Sequence, residues 1–361
     1  MFLKTKAWTP PWTPSPSTIQ HCATTLHCRR HYISSTRLLS SSSSHNDHND
    51  PTTHLPTLLT NSLSPYLQTS PPPRIALSCS GGVDSLSLLK AYLSVSPSLP
   101  PLTVVHFNHL TRPPSSHSHD LHCITLLTSP SPLPTLLTHT SPHPTFTPTL
   151  SSSWRKSVLS SYDLVLTGHH LSDSVESQIL KLGRGVSILN LHGIKPVSFI
   201  NGTTYLRPFI NVSKDILREY LKPDVYSEDE SNGDERKGKR NWVRNRLLKD
   251  WRAVEHDIER KFGNLEEEVE EFREFFDKEV EGRYGGKVGG EGFKVDGCDY
   301  GLIDKLTFRR YVEEKGAKPS RDIFNKVWSK VKQTDGKGKK WTMDLGRNFK
   351  VEYEKGHLRV M

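Results

Sequence analysis

The segment of this chain best suited to chemistry is Ser80-Gly81-Gly82-Val83-Asp84-Ser85. Two adjacent glycines let backbone N–H groups approach an anion closely. A helix beginning directly after them adds free N–H groups and the positive end of its dipole. Ser80 and Ser85 can donate hydroxyl hydrogen bonds. Asp84 would be repelled by a bare phosphate, so its expected use is to hold Mg²⁺ against one.

Asp173 and Glu176 lie three apart, hence on one face of a helix. As an arbitrary pair they would read as solvated acids; their place at the C-terminal edge of a parallel sheet, where ligands bind such folds, together with the family resemblance given below, makes them working carboxylates. His106, His109, His169 and His170 lack the spacing of a two-helix zinc motif. They are expected at strand ends, oriented by hydrogen bonds near the bound ligand. Residues 236–252 combine Lys237, Lys239, Arg240, Arg244, Arg246 and Lys249 with Trp242 and Trp251. That mixture suits phosphate tracking and base stacking, and equally a solvated helix face. A second cluster sets Lys330, Lys332, Lys337, Lys339 and Lys340 near Trp328 and Trp341.

Strands and helices must position these groups. Arg74 to Cys79 is a short apolar strand entering the glycine loop, and Val83, Leu86, Leu89 and Leu93 recur at helical spacing after it. Leu102 to Phe107 and Asp163 to Thr167 give two more strands. Alternation of strand and helix patterns predicts an α/β fold with a parallel sheet covered on both faces. Residues 129–153, rich in Pro, Ser and Thr, read as a surface insertion. Leu265, Val269, Phe272 and Phe276 mark one face of an acidic amphipathic helix. The Gly-rich stretch 285–292 reads as a linker, and the remainder as a small unit with a helix around Arg321 to Lys332 and a hairpin from Trp341 to Val360.

At 361 residues the chain has room for two folded units plus an appendage. Its hydrophobic fraction of 34% is low, and the deficit is concentrated near the N-terminus. A formal net charge of +9 favours a polyanionic partner. Five cysteines with no C-x-x-C pair argue against a disulfide framework or a zinc ribbon and fit a reducing compartment. No apolar run approaches membrane-spanning length, so a soluble mature protein with no membrane partner is expected. Residues before Asp47 contain no acid but include Lys4, Lys6, Arg29, Arg30 and Arg37 among many Ser and Thr. Such N-termini read as transit peptides, here 1–45, implying the mitochondrial matrix, with another organelle or the cytoplasm as the alternative; residues 46–70 follow as a low-complexity linker.

The glycine loop resembles the pyrophosphatase loop of the N-type ATP pyrophosphatases, which cleave ATP between the α and β phosphates. Four further segments resemble those of tRNA(Ile)-lysidine synthetases. They are His106-Phe107-Asn108-His109-Leu110-Thr111-Arg112-Pro113, with Leu110 where the family has glycine, and Thr167-Gly168-His169-His170-Leu171-Ser172-Asp173-Ser174-Val175-Glu176. Then come Leu206-Arg207-Pro208-Phe209-Ile210 with Val212-Ser213-Lys214, and Glu228-Asp229-Glu230-Ser231-Asn232-Gly233-Asp234 with Arg244-Asn245-Arg246. Leu248 stands where the family usually has another Arg. The resemblance covers residues 74 to 250 and implies a Rossmann-like ATP pyrophosphatase domain at 71–250, a helical linker at 251–292 and a C-terminal domain at 293–361.

By that resemblance the substrates are ATP with Mg²⁺, free L-lysine, and the wobble cytidine of an isoleucine tRNA with a CAU anticodon. The implied ATP site comprises Ser80, Gly81, Gly82, Val83, Asp84, Ser85, His106, Arg112 and His169, with Asp84 on the metal. Asp84, Asp173, Glu176 and Arg244 are the implied catalytic set, and Arg207, Arg240, Arg244 and Arg246 the implied tRNA contacts. A tRNA thiolase and a catalytically inactive RNA-binding relative are the alternatives. The thiolases of this kind usually carry C-x-x-C or iron–sulfur cysteines, and the intact Ser80, Asp84, Asp173 and Glu176 speak against inactivity.

Overall fold

The computed structural model describes residues 54–361 except 130–133, 143–146, 228–237, 290–291, 296–297, 299 and 347. The leader expected at 1–45 and the segment from Glu228 to Asp234 lie outside the described residues. The chain divides into two compact units, Met1–Glu266 and Glu267–Met361.

In the first unit a six-stranded sheet runs in the order β3-β2-β1-β4-β6-β5. Its strands are β1 (Ile75–Ser78), β2 (Leu102–Asn108), β3 (Thr135–Thr140), β4 (Leu164–Thr167), β5 (Val197–Ile200) and β6 (Thr203–Leu206). The β1 strand is central and parallel to both neighbours, Ile75 aligning with Leu102 on one side and Leu164 on the other. Only β5 runs antiparallel, paired with β6.

Alternation of side chains builds two apolar layers. Ile75, Leu77, Val104, Leu164 and Leu166 face the larger one, shared with helices α1 (Leu55–Leu63), α2 (Val83–Val95), α3 (Pro114–Thr128) and α6 (Lys214–Leu221). Ala76, Val105, Phe107, Val165 and Tyr205 face the other, covered by Leu159 and Trp154 of α4 (Pro148–Leu159). The predicted two-sided parallel sheet is therefore present. Helix α5 (Leu171–Leu182) follows β4. After the undescribed 228–237, α7 (Lys239–Trp242), a π-turn (Val243–Leu247) and α8 (Leu248–Val254) run consecutively.

Two expectations for this unit are corrected. The linker expected at 46–70 contains α1, whose Leu55, Leu59 and Leu63 are wholly buried; three leucines four apart form one core-facing stripe. The surface insertion expected at 129–153 contains β3, a parallel edge strand, and the start of α4. Thr147 caps α4 by accepting from Leu150 N at 3.3 Å.

Helix α9 (Ile258–Lys287) begins in the first unit and ends in the second. The second unit adds β7 (Val288–Gly289), β8 (Gly292–Lys294), α10 (Leu302–Glu314), α11 (Arg321–Thr334), β9 (Trp341–Gly346), β10 (Phe349–Glu354) and β11 (His357–Val360). Its sheet runs β7-β8-β11-β10-β9, so the expected hairpin is part of a larger antiparallel sheet. The Gly-rich 285–292 is no linker: α9 continues to Lys287 and β7 pairs with β8. Of the expected apolar face of α9, Val269 is buried and Leu265 and Phe276 are half-buried, but Phe272 is 53% exposed; buried Val280 continues the face in its place.

Candidate active site

From β1 the chain proceeds outward to β2 and β3, then returns to β4 on the opposite side of β1. The crevice at the C-terminal ends of β1 and β4 is thus the switch point where such sheets take ligands. The glycine loop leaves β1 there, and Gly168-His169-His170 leaves β4.

Gly81 adopts φ +85°, and a Cβ on it would lie 2.9 Å from Cα of Asp120. Gly81 O accepts from Ser227 N at 2.9 Å, so the loop is held between α3 and that segment. A Cβ on Gly168 would lie 2.7 Å from the Asp84 carbonyl. Both glycines therefore permit backbone to pass close to backbone. Gly82 is the N-cap of α2, which leaves the first-turn N–H groups beside the loop, while the Val83 side chain anchors the turn in the core. Ser85 is buried and works inside the loop: its Oγ accepts from Ser80 N at 3.2 Å and donates to Gly82 O at 3.0 Å. The hydroxyl expected to meet phosphate is thus the one that shapes the loop, and Ser80 remains the exposed one.

Asp84, in the first turn of α2, faces Lys214 Nζ at 3.6 Å and His170 Nε2 at 3.6 Å. Its Oδ1 is buried without a hydrogen-bond partner. An unsatisfied carboxylate oxygen beside a phosphate-type loop fits a hard divalent cation that takes most of its ligands from a nucleotide.

Asp173 and Glu176 both lie on α5 and both are buried, at 9% and 1% exposure. Two guanidiniums span them. Arg240 Nε donates to Glu176 at 2.7 Å and Arg240 NH2 to Asp173 at 3.1 Å. Arg244 Nε donates to Glu176 at 2.6 Å and its NH2 to Asp173 at 3.1 Å. Burial alone would raise the Asp173 carboxyl, but His170, His169, Arg240 and Arg244 together hold it below its ordinary value. Burial likewise weakens the Arg244 cation, and Glu176, with Asp173 and Asp84, more than restores it. The pair is a seat for cations, two guanidiniums sharing two carboxylates. The arginines come from α7 and the π-turn, an irregularity that recurs at functional sites.

A family model described as a PP-loop domain matches residues 55–251. The chain belongs to the PP-loop family. Among curated relatives, the tRNA(Ile)-lysidine synthase of Haemophilus influenzae (strain PittEE) is 30% identical over 186 residues, covering 48% of this chain and 42% of that protein. That of Campylobacter jejuni subsp. jejuni serotype O:2 is 32% identical over 125 residues, covering 34% of this chain and 39% of that protein. This chain thus spans under half the length of these curated relatives. A solved U34-tRNA thiolase from Methanococcus maripaludis superposes with a TM-score of 0.43 at 14% identity, covering 60% of this chain and 79% of that one.

Within the PP-loop unit some expected residues take other positions. His106 is buried, with one ring nitrogen on the Cys79 carbonyl at 2.9 Å and the other on His117 at 3.1 Å; it supports the loop from beneath. His169 bonds Thr167 Oγ1 at 3.0 Å, and burial pushes it down to about 4. Arg112 pairs with Asp120, a carboxylate wholly buried behind Gly81. Arg207 is buried, donating to the Lys195 carbonyl at 2.7 Å and Ser198 Oγ at 3.0 Å, so it braces a loop rather than facing a nucleic acid. Arg246 is exposed, as a nucleic-acid contact requires. Trp242 and Trp251 are also exposed, at 46% and 39%, whereas Trp328 and Trp341 are buried in the second unit's core and cannot stack on a base. Sequence reasoning gave no part to Asp120 or His117 and no role to Lys214: their partners lie far off in sequence or come from another element, so no local spacing marks them.

Proposed function

We propose that this PP-loop protein converts the wobble cytidine of a CAU-anticodon isoleucine tRNA to lysidine. The C2 oxygen of the cytosine attacks the α-phosphate of ATP, and pyrophosphate leaves. The ε-amine of free L-lysine then attacks C2, and AMP departs carrying the former C2 oxygen. The observation that carries this reading is a buried carboxylate pair beside a phosphate-type loop, already seating side-chain cations. The similarity to tRNA(Ile)-lysidine synthases supports the same reading.

The glycine loop and the α2 N-terminus hold the phosphates, with Lys214 offering a further cation beside Asp84. Asp84 would hold Mg²⁺, which supplies neutralising charge for the departing pyrophosphate. A lysine amine has a reference pKa near 10.4, so under about 1% is free base at neutral pH. Its ammonium is the same kind of partner that Arg240 and Arg244 are for Asp173 and Glu176. When anionic ATP and the anticodon loop draw those guanidiniums away, the carboxylates receive the ammonium and take its proton. Exposed Arg246, Trp242 and Trp251 suit a single-stranded loop, by charge and by stacking.

The test separates the half-reactions: adenylated tRNA is trapped without lysine, then chased with it. Asp173→Asn and Glu176→Gln keep shape and remove charge. Lysine transfer should fall by about 10²–10⁴-fold, with adenylation much less affected. Transfer at the normal rate would remove the role, and equal loss of both steps would move the pair to the nucleotide site.

A further inference from the structure

Helix α5 packs an apolar stripe through Leu171, Val175 and Ile179, yet its polar sides are buried as well: Ser172, Asp173, Ser174, Glu176 and Gln178. A helix cannot be held there by apolar packing alone. Its Asp173–Glu176 face is fixed by Arg240 and Arg244. At 100° per residue, Ser174 and Gln178 fall on the opposite face. Their partner comes from α9, beyond residues 55–251 of the family match.

Ser174 Oγ donates to Glu266 Oε2 at 3.0 Å, Gln178 Nε2 to the same oxygen at 2.7 Å, and Gly193 N to Oε1 at 3.1 Å. Ile194 N in turn donates to Ser174 Oγ at 3.0 Å. The segment at 193–194 continues to Lys195, whose carbonyl holds Arg207. One turn-pair earlier on α9, Glu259 accepts from Ser172 and from Arg252. Three donors converge on one half-buried carboxylate, and only an acceptor-only group of that length satisfies all three. The fit is close enough that a Cβ on Gly193 would lie 1.8 Å from Ser174 Oγ.

We propose that Glu266 is a positioning residue: it fixes the rotation of α5, and so the aim of Asp173 and Glu176, while tying the Gly193–Lys195 segment to the same helix. The proposal builds on the lysine-joining role given above to Asp173 and Glu176. Glu266 meets no reacting atom; it acts through Ser174 and Gln178.

The test uses the full chain with Glu266→Gln, which puts an amide NH₂ among the donors, and Ser174→Ala, a milder cut in the same network. Amide hydrogen exchange at 172–178 and 191–195 should quicken about tenfold or more in both variants, with the glycine loop unchanged. In the half-reaction assay the lysine chase should slow about tenfold or more, while KM for ATP and adenylation stay within about threefold. Unchanged exchange overturns the proposal whatever the activity. Quickened exchange with equal loss of both half-reactions also overturns it, since that is general damage. If the unmutated protein transfers no lysine, the functional reading fails by itself, and exchange still decides whether Glu266 is the clamp.

Discussion

At the scale of single residues, buried histidines make the most direct claim on solution behaviour. Burial pushes both His169 and His109 down to about 4, with Arg155 adding to the effect on His109. The unfolded chain takes up these protons near pH 6.5, the folded one only near 4. Between those values the unfolded state binds more protons, so stability rises with pH and is lost as pH falls through the window. The slope is at most about 1.4 kcal/mol per pH unit for each histidine. Asp173, depressed instead, acts only below its unfolded value near about 3.9 and stays outside this window. Urea midpoints measured from pH 7 to pH 4 should therefore decline, and His169→Gln should flatten the decline. An identical slope in the variant would place that ring in solvent. The loop and the Asp173–Glu176 pair were legible because contiguous residues or helical spacing bring them together. Glu266 was not legible, because it sits in an unbroken acidic run, Glu266-Glu267-Glu268, where nothing distinguishes one carboxylate from the next.

Among the elements, legibility followed apolar content. Strands β1, β2 and β4 are runs of Ile, Leu and Val, and they stand within a residue or two of where the sequence puts them. Helix α1 escaped notice because Ser, Thr and Pro surround its leucines, and β3 because an edge strand buries little. Yet α1 belongs to the same apolar layer as the sheet. Leu59→Ala in wholly buried surroundings should cost about 2–5 kcal/mol, read as a lowered denaturation midpoint of the full chain. A loss under about 0.5 kcal/mol, the range of an ordinary surface change, would mean α1 is an accessory that the sheet does without.

For the whole molecule, the division into two units was expected, but its position was not: it falls inside α9, after Glu266. A break in composition marks the edge of a low-complexity stretch well, and says nothing of a helix that serves two cores. The net charge of +9 is partly a property of the N-terminal residues, where cations stand without acids. We propose that these residues direct import into the mitochondrial matrix and are then cleaved. Fractionation of cells making a C-terminally tagged protein should find it in that compartment, shortened by about 45 residues if the acid-free composition marks the leader's extent. A cytosolic product with its N-terminus intact would contradict the import.

Three crowded glycines of the first unit, Gly81, Gly168 and Gly193, differ in a way that a genetic experiment can read. At Gly81 and Gly168 the atoms met by an added methyl include the backbone of Asp120 and of Asp84. No change of a neighbouring side chain can make room, so alanine at either position should yield no nearby second-site suppressors. At Gly193 the obstacles are the Ser174 side chain and the far end of Glu266. There a compensating Ser174→Gly, or a shorter side chain at Glu266, can open the space, so revertants of Gly193→Ala should gather on α5 and α9. The side chain whose loss relieves the clash is also the one that ties α5 to Glu266, so such revertants should regain the fold without regaining the full rate of lysine transfer.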